Sequence, residues 1–276
     1  MLFPLGISIP FYITQLSAVT KPKTLDAPAS VTATGYNYNK GGEMKNLVLK
    51  PILKWVGGKR QLLTEIAPLI PKNPTLYVEP FIGGAAVLLD TQPQRARIND
   101  FNEELINVYI TVRDNPNELL EQLKVHEKKN SREYYYEIRA LDREPSFREL
   151  TNVERAARII YLNKTCYNGL FRVNAAGQLN VPYGRYKQPN IVNEPAIRAL
   201  STYLDNDIDI RCGDFATALE DLPEGSFVYL DPPYMPISAT SAFTGYTEGG
   251  FNYDEQVRLR DECIKLKERG IAFLQS

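Results

Sequence analysis

The sequence predicts an α/β fold on a mostly parallel sheet, with an inserted second domain, and three observations carry that expectation. Short apolar runs of strand length recur along the chain. Helical patterns separate them. Between roughly 103 and 205 the alternation gives way to helices and a Gly/Asn-rich segment, which marks the insert as mainly helical. The chain has 276 residues, 43% of them hydrophobic and 24% charged. That size suits one large domain or two modest ones, with a core sizeable enough to need no disulfides.

Taken in order, residues 1–20 are apolar but interrupted by Pro4 and Pro10. No Lys or Arg precedes them, so they match neither a signal peptide nor a membrane span. Residues 21–43 are rich in Thr, Ala, Pro, Gly and Asn and show no helical or strand period, so disorder is expected there. Gly41-Gly42-Glu43-Met44 can be encoded by a purine-rich ribosome-binding site and a start codon. The expectation is that the working protein begins at Met44, with 1–43 a mis-called leader or a disordered extension. Leu76-Tyr77-Val78 is the first buried strand, followed by a glycine turn, and Ala96 to Asn99 is the second, ending at Asp100. Asn115-Pro116-Asn117-Glu118 opens a helix running to Lys129, with proline at its first position. Thr151 to Glu154 is a capping box, and Val153, Ala156, Ala157 and Ile160 share one face of the helix behind it. Asp207 to Ile210 and Phe227 to Leu230 are two further strands. Tyr253 to Arg269 is an amphipathic helix closed by Gly270, and Ile271 to Leu274 begins another strand.

Composition narrows the chemistry. Three cysteines, Cys166, Cys212 and Cys263, lie far apart and form no CxxC pair. This argues against a zinc ribbon or a secreted scaffold and fits a reduced, cytoplasmic compartment. The single histidine, His126, falls in a charged run and reads as a solvated helix residue. With no other histidine, His-based triads and most His-ligated metal sites are excluded, and no metal is expected. The net charge of −1 gives no global hint of a nucleic-acid partner.

The strongest chemical motif is Asp231-Pro232-Pro233-Tyr234, directly after the run Phe227 to Leu230. Open α/β sheets bind ligands at the carboxyl ends of their strands. Two prolines fix φ and remove two N–H donors, leaving a rigid elbow with a carboxylate, bare carbonyls and an aromatic face. That suits a planar group bearing an exocyclic amine: Asp231 and the Pro232 carbonyl each accept one amino hydrogen while Tyr234 stacks on the ring. Glu79-Pro80-Phe81-Ile82-Gly83-Gly84-Ala85 likewise follows a strand, and its glycines let a ligand approach the backbone. The bland alternative is a tight turn. Asp100 lies about 20 residues on, where α/β nucleotide sites place an acid on ribose hydroxyls. Lys54-Trp55-Val56-Gly57-Gly58-Lys59 holds the only tryptophan, either a core residue or a cover over a cofactor.

These segments carry a family resemblance. KWVGGKRQLL, YVEPFIGGAAV, INDFNEELINVY, LNKTCYNGLFRVNAAGQLNVPYGRY, CGDF and YLDPPY occur in the order of the Dam-type DNA adenine-N6 methyltransferases. The resemblance covers Leu53 to about Leu274. It implies a Rossmann-like methyltransferase sheet, over 44–102 and 206–276, and an inserted target-recognition domain over 103–205. It implies S-adenosylmethionine as cofactor, with Trp55, Lys59, Glu79, Phe81, Gly83, Asp100, Asp214, Phe215 and Asp231 around it. Phe215 takes the family's adenine-side aromatic position. Asp231, Pro232 and Tyr234 become the catalytic group, acting on the amino nitrogen of an adenine by positioning and charge stabilisation, without a covalent enzyme intermediate. Methylation at cytosine C5 would need a cysteine after proline, and here Thr165, Arg211 and Glu262 precede the cysteines.

A target base inside a duplex has to be flipped out. Between Arg155 and Asn193 there are six basic residues (Arg155, Arg158, Lys164, Arg172, Arg185, Lys187) and no acid, a local basic stripe suited to phosphates. Aromatics interleave with it, and Phe171 to Val181 reads as a hairpin around Ala175-Ala176-Gly177. By resemblance, the double-stranded DNA contacts are Tyr167, Asn168, Leu170, Arg172, Asn180, Pro182 and Arg185. Tyr167 fills the gap left by flipping, Arg172 reads guanine, and Leu170 and Pro182 touch base edges. The sequence implied is GATC, in a monomer of a bacterial cell or phage-infected host, with a cognate restriction enzyme as one partner. The sheet of this family continues past the strand where Gln275-Ser276 falls, so the last strands are expected to be missing. Two alternatives stay open: a fragment that binds DNA or cofactor without catalysis, complemented by a separate C-terminal polypeptide, and an amino-methyltransferase acting on cytosine N4 or RNA.

Overall fold

A computed structural model describes residues 36–38, 44–55, 57–234 and 251–276. Its strands are β1 (Tyr36–Tyr38), β2 (Met44–Asn46), β3 (Tyr77–Glu79), β4 (Arg95–Asp100), β5 (Asp207–Cys212), β6 (Phe227–Leu230) and β7 (Ala272–Gln275). Its α-helices are α1 (Leu63–Ile66), α2 (Ala86–Thr91), α3 (Glu103–Asp114), α4 (Pro116–Lys129), α5 (Arg132–Ala140), α6 (Asn152–Thr165), α7 (Glu194–Leu204), α8 (Phe215–Ala218) and α9 (Tyr253–Glu268).

The central sheet has five strands in the order β5-β4-β3-β6-β7, and every pairing is parallel. This is the expected α/β class. The chain lays β4 and β5 on one side of β3, then crosses to lay β6 and β7 on the other. The reversal leaves a crevice at the carboxyl ends of β3 and β6, where open α/β sheets take their ligands. Both central strands are buried throughout, as parallel strands covered on both faces are. Alternate residues serve opposite faces. Tyr77, Phe227 and Tyr229 join the larger core, and Leu76, Val78, Val228 and Leu230 join a smaller one with Leu259 and Leu266 of α9.

The insert grows out of the larger core. Asn102 caps α3 by accepting from the Leu105 N–H, and Leu105, Val108, Tyr109 and Val112 then bury against the sheet and against α6 and α7. The predicted capping box opens α6: Thr151 accepts from the Glu154 N–H, and the Glu154 carboxylate accepts from the Thr151 N–H. One continuous apolar cluster therefore runs from Ile98 of β4 through Val108 of α3 to Leu119 of α4 and Ile159 of α6.

Two expectations need correction. His126 is not solvated. It is 8% exposed, stacked on Tyr161 at 4.9 Å and hydrogen-bonded through Nδ1 to the Tyr134 hydroxyl at 2.8 Å. Lysines flank it in sequence, but α4 turns this position inward. Within the segment expected to be disordered, Tyr36–Tyr38 forms a strand paired antiparallel with Met44–Asn46. The alternation Tyr-Asn-Tyr-Asn carries that strand period. The rest of 1–43 lies outside the described residues, as do 235–250 and Val56. No helix among the described residues is long and apolar enough to cross a membrane.

Candidate active site

Asp231 stands at the first position after β6, on the crevice. Lys59 reaches it from the loop before α1, placing Nζ 2.6 and 2.7 Å from the two carboxylate oxygens and 2.8 Å from the Gly57 carbonyl. The Ser276 hydroxyl donates to the same carboxylate at 3.1 Å. The lysine side chain is 7% exposed and the aspartate side chain 21%, so the pair is largely withdrawn from water. A carboxylate has about four lone-pair positions. Asp231 thus keeps acceptor capacity toward the crevice while Lys59 balances its charge. Pro232 is buried, fixing the elbow, and Tyr234 is 62% exposed with its ring 5.3 Å from Lys59 Nζ. The structure brings together a held carboxylate, a rigid carbonyl-bearing turn and an open aromatic face.

Across the crevice, the glycine turn after β3 leads into α2. Gly83 has φ +47° and Ala85 φ +56°. Trp55 lies against this turn so closely that a Cβ on Gly83 would sit 3.0 Å from Trp55 Cδ1, and one on Gly84 would sit 3.2 Å from Trp55 Cβ. The Asp100 carboxylate at the end of β4 accepts from the Gly83 N–H at 3.1 Å and the Asn102 N–H at 3.0 Å. Burial pushes its pKa up to about 6, against those hydrogen bonds. The Tyr109 hydroxyl donates to the Gly83 carbonyl at 2.7 Å, a support that the sequence did not announce. Glu79 faces inward rather than onto the crevice. It is 2% exposed and accepts from the Tyr77 hydroxyl at 2.5 Å, and burial, with Asp231 adding like charge, raises it to about 8.

Beside the β5 end, Asp214 caps α8 by accepting from the Ala216 N–H, and both its oxygens accept from Arg258 of α9 at 2.9 Å. Phe215 packs among Phe81 and Phe251 at 5.3 and 5.9 Å, with the Arg258 guanidinium 5.0 Å over its ring. The tie of Arg258 to Asp214 carried no sequence signal, because the two are forty-four residues apart, while its second partner, Glu255, is a local pair on α9.

The residues expected to contact DNA fall on one turn and one hairpin. Tyr167 is 54% exposed, and Asn168 is exposed with φ +56°. The hairpin forms as expected, bridged antiparallel at Val173 and Leu179. Arg172, Pro182 and Arg185 are exposed, Asn180 and Leu170 half-buried. The Asn180 side chain fixes Arg172, accepting from its Nε at 2.8 Å. The basic stripe is shorter than its sequence: Arg158 is 2% exposed and paired with Asp142 at 2.9 Å, and Arg155 is paired with Glu104. Lys164 is half-buried, and burial together with Arg60 and Lys54 lowers it to about 8. Arg172, Arg185 and Lys187 stay on the surface.

The pattern that defines the D12 class N6 adenine-specific DNA methyltransferase family matches residues 55–276. A Type II methyltransferase of Lactococcus lactis subsp. cremoris is 50% identical over 229 residues, 83% of this chain and 81% of the relative. A Type II methyltransferase of Methanocaldococcus jannaschii is 42% identical over 83% of this chain and 84% of its own length. The DNA adenine methylase of Escherichia coli K12 is 36% identical over 82% of this chain and 80% of its own length.

Proposed function

The chain belongs to the D12 class of N6 adenine-specific DNA methyltransferases, and from that premise we propose that it methylates adenine N6 within GATC in double-stranded DNA, using S-adenosylmethionine. The observation that carries the reading is the Lys59–Asp231 pair at the switch point of the sheet, opposite the glycine turn. The fit of the cofactor is supported by the same turn: Gly83 and Gly84 leave a cradle that a Cβ would fill, with Trp55 against it and Asp100 beside it. Trp55, Gly83, Asp100, Asp214 and Phe215 would hold the cofactor, with Phe81 behind Phe215 and Glu79 buried beneath the turn. When bound, it supplies an already activated methyl group.

The chain's own residues act on the amine. The adenine amino nitrogen is a poor nucleophile because its lone pair is delocalised into the ring. Asp231 and the Pro232 carbonyl each accept one of its hydrogens, which favours a pyramidal nitrogen and localises the lone pair. Lys59 holds the carboxylate in place, so orientation is established before reaction. Tyr234 offers its open face to the flipped base. We assign catalysis to 44–102 with 206–276, and target recognition to 103–205, where Tyr167, Asn168, Leu170, Arg172, Asn180, Pro182 and Arg185 meet the duplex.

Incubation with S-adenosylmethionine and duplex DNA, followed by endonucleases blocked by or dependent on adenine methylation, tests the reading. Protection confined to GATC is expected, and Asp231→Ala should lose methyl transfer while still binding DNA. Methylation elsewhere would overturn the sequence assignment, and activity retained in Asp231→Ala would overturn the site.

A further inference from the structure

Asn163, near the end of α6, is buried at 5% exposure and spends its amide on two separate segments. Its Oδ1 accepts from the Lys54 N–H at 2.9 Å, and its Nδ2 donates to the Lys54 carbonyl at 2.8 Å and the Gly169 carbonyl at 3.1 Å. Lys54 directly precedes Trp55, on the loop that delivers Lys59 to Asp231. Gly169 closes the turn that exposes Tyr167 and Asn168. Two further contacts seal the same junction. A Cβ on Gly169 would fall 2.4 Å from Lys54 Cδ and 3.0 Å from its Cβ, and φ there is +64°, so glycine lets the two segments meet closely. Phe171, at the base of the hairpin bearing Arg172, stacks on Trp55 at 4.6 Å and 27°.

We infer that Asn163 is a positioning residue that couples the target-recognition turn to the loop carrying Trp55 and Lys59. The inference rests on the DNA-methyltransferase reading above. A duplex seated on Tyr167, Asn168 and Arg172 bears on the 167–171 segment. That segment is tied to Lys54 by the amide and to Trp55 by the ring stack. Strain or ordering at the recognition turn therefore reaches both the glycine turn under Trp55 and the ion pair at Asp231. Coupling of this kind is carried by packed side chains and hydrogen bonds that move together. Its functional consequence is that methyl transfer favours the cognate site beyond what binding alone provides.

The single tryptophan makes this measurable in the full chain, because Trp55 lies at this junction, between Phe171 and the glycine turn, and its emission responds to both sides. In the unaltered protein a duplex containing GATC should change Trp55 emission. Asn163→Leu keeps the branched shape and the number of side-chain heavy atoms and removes all three hydrogen bonds. It should abolish the DNA-induced change while leaving the S-adenosylmethionine-induced change. The kcat ratio between cognate and one-mismatch duplexes should fall by roughly 2- to 30-fold. Phe171→Leu, which breaks the junction from its other side, should act in the same direction if Asn163→Leu fails to fold. An undiminished emission response and undiminished discrimination in a folded variant would overturn the inference. So would parallel losses of cofactor and DNA binding that track a lowered Tm, since those mark a purely structural role. Failure of the unaltered protein to methylate adenine would count against the function itself, whereas the emission response tests the coupling without it.

Discussion

At Glu79 a carboxyl group lies on the central strand with no outlet to water, hydrogen-bonded to Tyr77 and facing the like charge of Asp231. Its pKa is about 8 in the folded chain, against an ordinary 4.5. Between those values the folded state holds a proton that the unfolded chain releases, so stability falls as pH rises through the window. Asp100, raised to about 6, adds a loss of the same sign over a narrower range. His126 acts oppositely: burial pushes it down to about 4, so stability is lost as pH falls below about 6.5. Glu79→Gln keeps a neutral group against Tyr77 at every pH. The unfolding free energy from denaturant titration should fall between about pH 5.5 and 8.5 in the unaltered protein by more than in Glu79→Gln, a difference on the order of a few kcal/mol. Equal pH dependences would show that Glu79 does not titrate as its surroundings dictate. At the same scale, Lys59→Met leaves Asp231 half-buried without its cation. Removing one partner of such a pair costs about 3–5 kcal/mol, so both Tm and kcat should drop.

The Phe171–Val181 hairpin shows how an element is held by residues it does not contain. Its returning strand gives the Leu179 N–H to Asp142 at 2.8 Å and takes donors from Tyr135 and Arg139 on the Val181 carbonyl at 2.8 and 2.9 Å. Asp142 is in turn paired with the buried Arg158. Arg172, gripped by Asn180 near the base of the hairpin, keeps its side chain exposed, and the tip at Asn174 to Gly177 is exposed as well. Arg172→Ala should therefore leave Tm unchanged and relax discrimination at one guanine by about 1–3 kcal/mol. Replacing that guanine with 7-deazaguanine should then penalise the unaltered protein but not the variant; equal penalties would remove Arg172 from base reading. Elements of this kind were legible in the sequence where their cause is local. The capping box of α6, the strand Phe227–Leu230 and the turn at Gly177 each declare themselves within a few residues. The partners of Asp214, Trp55 and Arg158 did not, because ion pairs and ring stacks between distant segments leave no period. The motif order pointed to the crevice at the ends of β3 and β6, and the tertiary contacts determined which of the named residues face inward.

Across the whole molecule, a net charge of −1 conceals a division of labour among cations. The sequence places six of them in an acid-free stretch, which as a uniform stripe would meet about six phosphates. Folding withdraws half of that stretch: Arg158 anchors the hairpin from within, Arg155 closes on Glu104 of α3, and Lys164 is half-buried near Lys54 and Arg60. The first two are used inside the 103–205 segment, Arg158 tying α6 to Asp142 and the carbonyls of α5, and Arg155 tying α6 to α3. Arg172, Arg185 and Lys187 stay exposed in this stretch, and the proposed function has them meet DNA. Each phosphate neutralised on B-DNA contributes about −0.9 to the slope of log K against log salt, so non-specific binding should show a slope of about −3 rather than about −5. Fluorescence anisotropy of a labelled duplex between 50 and 300 mM salt, about the range over which such slopes are resolved, reads this directly. Double substitution of Arg185 and Lys187 by Gln should flatten the slope by about 2 without altering Tm, since both side chains are exposed. A slope that stays at about −3 after this double substitution would put the electrostatic grip on Lys54, Arg60 and Lys164 instead.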